Sequence, residues 1–423
     1  MRLLILTFFA FAASQVSAFC GFYVARADGK LYNEASKVVY VRDGSTSVIT
    51  MSSDYRGPAK DFAMIVPTPS VLRRNQVKTV KSKTIEHLDA YSAPRLVEYT
   101  EDDPCGPQIL YEQVIVEEAA PSRKNAPARQ RGPRALGVKI EAQYSVGIYD
   151  IAILSAKQSD GLGIYLRQEG YKLPDGAERV LAGYIKGGMK FFVARINLKR
   201  QAVAEATELE PLQISFKSKD FMLPLQLGKL NADKKQDVLV MTLTRQGRVE
   251  AANYANKRIP TNTDVPLFVE GMFGRFYKSM FTKAATRNTV MTEYAWDMAW
   301  CDPCAADPLS VAELKELGVG WLKRSDNAAQ DVFVTRLHFQ YDKGSFEKDL
   351  MMTVTKDRDN FQGRYVMNVP FDGKITCEAG VQYVRDTRKR MQREAKELRK
   401  ITGWSRAAID REIRKSVPAV FQY

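Results

Sequence analysis

Residues 121–134 put into the middle of the chain a stretch that no core can accept. They read Pro-Ser-Arg-Lys-Asn-Ala-Pro-Ala-Arg-Gln-Arg-Gly-Pro-Arg, with five positive charges, no negative one and no large apolar side chain. Three prolines and a glycine deny the stretch a regular hydrogen-bond ladder, and its composition leaves it no face to bury. A disordered basic surface loop is expected over 121–136, so whatever folds must be assembled from the chain on either side. At 423 residues that chain is long enough for two or three domain-sized cores. Its 45% hydrophobic and 26% charged residues are ordinary for globular proteins, which excludes collagen-like, coiled-coil and wholly disordered classes.

The charge has two addresses. Formal net charge is +14, or +13 once Arg2 is set aside. The 121–134 tract supplies five of these, and residues 381–416, with twelve basic and five acidic side chains, supply seven. The remainder is nearly neutral, so the basicity belongs to two appendages. The candidate anion-binding residues are Arg123, Lys124, Arg129, Arg131 and Arg134 in the first tract, and Arg388, Lys389 and Arg390 in the second. The partner such tracts allow is an anionic lipid or a cell-envelope polymer. Aromatic interleaving is thin (Tyr383, Trp404), so sequence-specific nucleic-acid reading is not expected.

The N-terminus reads as an export signal. Arg2 precedes the apolar run Leu3 to Ala13, and Val16-Ser17-Ala18 offers small residues for cleavage between Ala18 and Phe19. The run is too short to span a bilayer, and no later segment reaches roughly 18 apolar residues, so no membrane span is expected once the signal is removed. The expected location is the periplasm or the extracellular medium. There disulfides persist, and Cys20, Cys105, Cys301, Cys304 and Cys377 are all disulfide candidates. Two bridges can be drawn from five cysteines in many ways, and spacing does not choose among them; an odd count leaves one thiol over.

Between these landmarks the chain reads as α+β, with mostly antiparallel β-sheets, inserted short helices and a C-terminal helical pair. Val38 to Val41 and Val48 to Met51 flank Asp43-Gly44, a hairpin signal. Further strands are predicted at Phe62 to Val66, Val138 to Leu154, Phe191 to Ile196, Ile214 to Phe216, Phe221 to Leu227, Val238 to Thr244, Val332 to Phe339 and Leu350 to Val354. Helices are predicted from Ile85 to Leu96 with an interruption at Pro94, near Gly161 to Glu169, and near Ala177 to Lys186. Another opens at the capping box Ser310–Glu313. Val384, Thr387, Met391, Ala395 and Leu398 recur at helical spacing up to Gly403, and Ser405 can cap a second helix with Ile409 and Ile413. The expected parts are a signal peptide (1–18), an N-terminal β-rich part (19–120), the loop, a central α+β part (137–380) and basic C-terminal helices (381–416).

The motifs that could carry chemistry each have a plainer reading. Trp300-Cys301-Asp302-Pro303-Cys304 resembles the redox motif of thioredoxin-like proteins. The next helix starts near Val311, too far for its dipole to activate Cys301, and Asp302 and Asp307 would raise a nearby thiol. A structural disulfide is the preferred reading; a thiol-disulfide oxidoreductase using Cys301 and Cys304 is the alternative, beside an unrecognised hydrolase. Of the two histidines, His87 is read as a helix-surface or packing residue and His338 as core or sheet surface. Glu98, Glu101, Asp102 and Asp103 lack the ligand alternation of a calcium loop, and the Gly187-Gly188 and Gly271-x-x-Gly274 pairs are read as turn or packing signals. No metal site, cofactor or catalytic residue is assigned.

Several stretches together resemble one bacterial family, domain of unknown function family 2330. They are Phe19 to Ala25, Asp89 to Tyr99, Tyr149 to Ala156, Trp300 to Cys304, Thr335 to His338 and Asn360 to Val366. The resemblance runs over roughly 19–405. It implies an exported bacterial protein with the cysteines built into its fold, and supplies no activity, cofactor or site residue. The functional expectation is a noncatalytic envelope-associated or periplasmic binding or structural protein.

Overall fold

The computed structural model describes residues 22–25, 35–53, 62–106, 138–156, 159–197, 199–200, 209–232, 235–300, 306–323 and 331–421. The expected export segment, the 121–134 tract with its five candidate cations, and Cys20, Cys301 and Cys304 lie outside the described residues.

The first third contributes β1 (Phe22–Ala25), β2 (Ala35–Asp43), β3 (Thr46–Ser53), β4 (Phe62–Thr68), β5 (Val77–Thr79), helix α1 (Ser82–Ser92) and β6 (Arg95–Thr100). Then come β7 (Val138–Val146), β8 (Tyr149–Ala156), α2 (Ser159–Gln168), α3 (Ala177–Lys186) and β9 (Lys190–Ile196). The middle carries β10 (Leu212–Lys217), β11 (Met222–Leu223), β12 (Gln236–Thr244), β13 (Val249–Ala251), β14 (Ala255–Arg258) and β15 (Thr263–Asp264). After it follow α4 (Phe273–Ala284), β16 (Thr289–Asp297), α5 (Val311–Glu316), β17 (Phe333–Tyr341), β18 (Leu350–Val354), β19 (Phe361–Gln362) and β20 (Arg364–Val369). Helices α6 (Glu378–Thr402) and α7 (Arg406–Ser416) close the chain.

One sheet runs β1-β4-β9-β8-β7 and a larger one β14-β16-β17-β12-β2-β3-β10-β5, with β19 paired to β16. Strands from before and after the basic tract therefore share both sheets. Twelve of the sixteen strand pairings among the described residues are antiparallel. The α+β class with mostly antiparallel sheets and a C-terminal helical pair is what the structure has.

The layers follow from the faces. Val38 and Tyr40 of β2 point into a core shared with Phe192 and Ile151 of the smaller sheet, whereas Val39 and Val41 point to the opposite side, against Leu88 of α1 and Leu314 of α5. A strand buried on both faces reads as a continuous apolar run, which is why Val38 to Val41 shows no alternation. Beyond the smaller sheet, Leu162 and Leu166 of α2 and Leu181 of α3 pack on Leu154 and Phe191. The order is helices, small sheet, large sheet, helices. The C-terminal pair joins α4 in a further core of Phe276, Met280, Met391, Ala395, Leu398 and Ile409 at one end of the large sheet.

Four sequence expectations change. Leu96 lies on β6 and not on a helix, because Pro94 removes the helical option from Ala93 and the chain leaves α1 extended. The strand expected over Phe221 to Leu227 shrinks to Met222–Leu223, ended by Pro224, whose nitrogen cannot donate to a ladder. Gly274 sits in the first turn of α4, a helix that the Gly271–Gly274 spacing hid. Strand β16, not expected from the sequence, lies inside the large sheet between β14 and β17.

Candidate functional site

Helix α6 carries the second basic tract. Its sequence is rich in strong helix formers, the Cys377 Sγ accepts from the Gly380 amide at its start, and Gly403 at φ 78° ends it. Thr387, Met391, Ala395, Leu398 and Thr402 are buried on one side. Opposite them, between residues 385 and 400, seven cations are exposed: Arg385, Arg388, Lys389, Arg393, Lys396, Arg399 and Lys400. Two acids in that span reach solvent: Asp386, and Glu397, which pairs with Lys400 at 3.1 Å. At 1.5 Å per residue the row extends about 22 Å along the helix axis.

The three candidates named from this tract divide. Arg388 is exposed and donates to the Val420 carbonyl at 2.8 and 3.1 Å, holding the chain end against the helix. Lys389 is exposed and pairs with Asp386 at 3.2 Å. Arg390 turns inward: its guanidinium bonds the Glu101 carboxylate and lies 3.2 Å from Glu394. Arg385, Lys396 and Arg399 have no acidic partner among the described residues. Arg390 is thus an anchor for α6, and the outward row is what a solute meets.

The anchor is reinforced around Glu101. The Tyr383 hydroxyl donates to Glu101 at 2.6 Å and accepts from the Phe371 amide at 2.8 Å. Burial pushes the Glu394 carboxyl up to about 7; Arg390 opposes this, and the Asp264 and Glu101 charges add to it. Cys105, five residues after the end of β6, is disulfide-bonded to Cys377, with Cα atoms 5.8 Å apart. The bridge ties the start of α6 to the same segment that Arg390 and Tyr383 hold.

A second set of charges is buried where β16 meets β17. The register slips by one residue between Thr292 and Tyr294, so Glu293 is the extra residue of a bulge. This aims its carboxylate between the facing residues of β17. Glu293 Oε2 accepts from Arg336 Nε at 2.6 Å, and Oε1 lies 2.5 Å from His338 Nδ1. His338 Nε2 is 3.0 Å from Asp237 of β12, Arg336 reaches Asp89 of α1 at 2.5 Å, and Lys37 of β2 pairs with Asp89 at 2.6 Å. Tyr277 of α4 donates to Glu293, and the Phe281 ring stacks on His338 at 3.7 Å. Signs alternate along the chain Asp237, His338, Glu293, Arg336, Asp89, Lys37, and they cancel when His338 is protonated.

Those neighbours set the protonation states. Burial would raise Glu293, but the His338 and Arg336 cations outweigh it and hold the carboxyl at about 2. Burial would lower His338, but Glu293 and Asp237 hold the imidazole at about 9. With Glu293 1% and His338 9% exposed, the network is an ionic clamp with a buried centre and partly exposed ends at Asp237, Asp89 and Lys37, joining five elements of the large sheet and its helices. The sequence reads His338 as core or sheet surface, and the structure buries it; its charge partners are not legible, although Thr335-Arg336-Leu337-His338 sets two cations on one face of an apolar strand. His87 does lie on a helix surface, its two nitrogens each 2.8 Å from an oxygen, Glu313 Oε1 and the Asp307 carbonyl.

Among the described residues no helix is long and apolar enough to cross a membrane. A family model described as an uncharacterized protein conserved in bacteria (DUF2330) matches residues 14–353, so α6 and α7 lie beyond the matched stretch. No curated protein matches. Among solved structures, a mutated baculovirus P35 after caspase cleavage is similar at 9% identity over 77% of this chain and 97% of that one. Its TM-score is 0.24, too low to bear on fold or function.

Proposed function

The chain belongs to this bacterial family of uncharacterised proteins, DUF2330, and from that premise we propose that it is an exported, noncatalytic protein of the cell envelope that docks to an anionic polymer through α6. The observation that supports this is the row of seven exposed cations against two acids, Asp386 and Glu397, carried on a helix whose other side is fixed in a core. Arginines and lysines at helical spacing form a line and not a plane, which suits a linear polyanion better than a bilayer surface. The leader sequence ahead of Phe19 would deliver the protein to such polymers.

Retention on immobilised heparin tests the reading. Deleting the helix is a poor test, since it would uncover Phe276 and Met280. Arg385→Gln, Arg393→Gln, Lys396→Gln and Arg399→Gln together remove four charges while leaving the buried side intact. Wild type should be retained at low salt, and four ionic contacts should weaken by roughly a hundredfold between about 50 and 200 mM salt. The variant should elute early with an unchanged melting temperature. Equal retention of both proteins would overturn the assignment, and preference for phosphatidylglycerol vesicles over heparin would move it to a lipid surface.

A further inference from the structure

On the far side of the small sheet from the main core, a cleft of about 470 Å³ lies between strands β7–β9 and helix α2. Its floor can be read from the register. Ser145, Asp150 and Arg195 face one another across β7, β8 and β9, and in the next row stand Gln143, Ala152 and Val193. The middle strand offers only a methyl group in that second row, which leaves a hollow. Tyr165 and Glu169, one helical turn apart on or just beyond α2, form the facing wall.

We propose that this cleft is a binding site for a short neutral saccharide. Four observations carry the inference. The size falls within the range of small-molecule sites. The charges cancel: Asp150 is bonded by Arg200 and lies 3.8 Å from Arg195, and Glu169 offsets the second cation, so no ionic ligand is selected. Asp150 also accepts from Ser145 Oγ at 2.9 Å and Asn197 Nδ2 at 3.0 Å, which fixes the polar row before any ligand arrives. Finally, the exposed Gln143, whose amide is both donor and acceptor, stands beside Ala152 and Val193 in the register and lines the cleft together with Tyr165. A sugar presents that combination in complement: hydroxyls at its rim and an apolar C–H face for an aromatic ring.

This site is remote in sequence from α6 and does not depend on its charges. Calorimetric titration of the full, oxidised chain with chitotriose and with maltotriose tests it. Binding of either is expected, unchanged by added salt and unchanged in the four-glutamine α6 variant, so the two assignments can fail separately. Ala152→Leu fills the hollow without removing a polar group and should weaken binding at least tenfold; Gln143→Ala, at an exposed position that buries nothing, should weaken it severalfold even if the leucine variant folds poorly. Absence of binding by both trisaccharides at about 1 mM would overturn the proposal. Binding undiminished in both variants would overturn it as well, by placing the sugar elsewhere.

Discussion

His338 and Glu394 are two titrating residues that move stability in the same direction through different pH windows. The His338 imidazole is raised from 6.5 to about 9, so its contribution is full below about 6.5, declines above that and is gone beyond about 9. On the order of 3 kcal/mol is at stake over that interval. Chemical denaturation of wild type from pH 6 to pH 9.5 should show the decline, and His338→Gln should be less stable at pH 6 and lose less stability than wild type across that window. The Glu394 carboxyl is raised from 4.5 to about 7, so the cost of its buried charge is absent below about 4.5 and complete above about 7. Glu394→Gln should therefore stabilise the protein at pH 8, by about 1–3 kcal/mol, and lose that advantage at pH 4. A variant no more stable than wild type at pH 8 would mean that Arg390 compensates the carboxylate fully. Glu293→Gln differs in kind: it leaves Arg336 and His338 buried without their shared anion and should cost about 3–5 kcal/mol at neutral pH.

Short helix α5 shows how far elements could be read from local chemistry. The Ser310 amide donates to Glu313 Oε2 at 2.9 Å and Ser310 Oγ accepts from the Glu313 amide at 3.3 Å, the capping box expected from the sequence. Gly318, at φ 104°, ends the element, and a β-carbon there would sit 2.6 Å from Val48 Cγ1 of β3. Ser310→Ala should cost about 1 kcal/mol in urea denaturation. Gly318→Ala should cost more, because it adds a strained backbone to a clash with a core strand. Caps, the β2–β3 hairpin and the amphipathic α6 were legible because their causes lie within a few residues. Strand β16 and the ionic clamp were not, since Glu293 acquires its meaning from a bulge and from partners on β17 and α4 that no local pattern announces. The cations of α6 were visible in the sequence, but the inward turn of Arg390 was not, because it depends on Glu101, nearly 290 residues away in the chain.

At the scale of the molecule, the C-terminal helices are joined to the family-matched stretch in two independent ways. One is covalent: Cys105 lies inside residues 14–353 and Cys377 outside, and their bridge closes a loop of 272 residues. The other is packing, since Met391, Ala395, Leu398 and Ile409 share a core with Phe276, Met280 and Phe333. A crosslink acts chiefly by restricting the unfolded chain, whereas buried side chains hold the helix in place within the folded one. The two effects should therefore separate in a Cys105→Ser, Cys377→Ser double variant. Its denaturant midpoint should fall, with a loss of about 2–5 kcal/mol, because the unfolded ensemble regains the freedom of a long loop. Its heparin retention under native conditions should match wild type, because Glu101 still holds Arg390 and the core still fixes the side of α6 that sets which residues face outward. Retention that fell together with the bridge, in protein that remained folded, would show that the disulfide and not the packing presents the basic row.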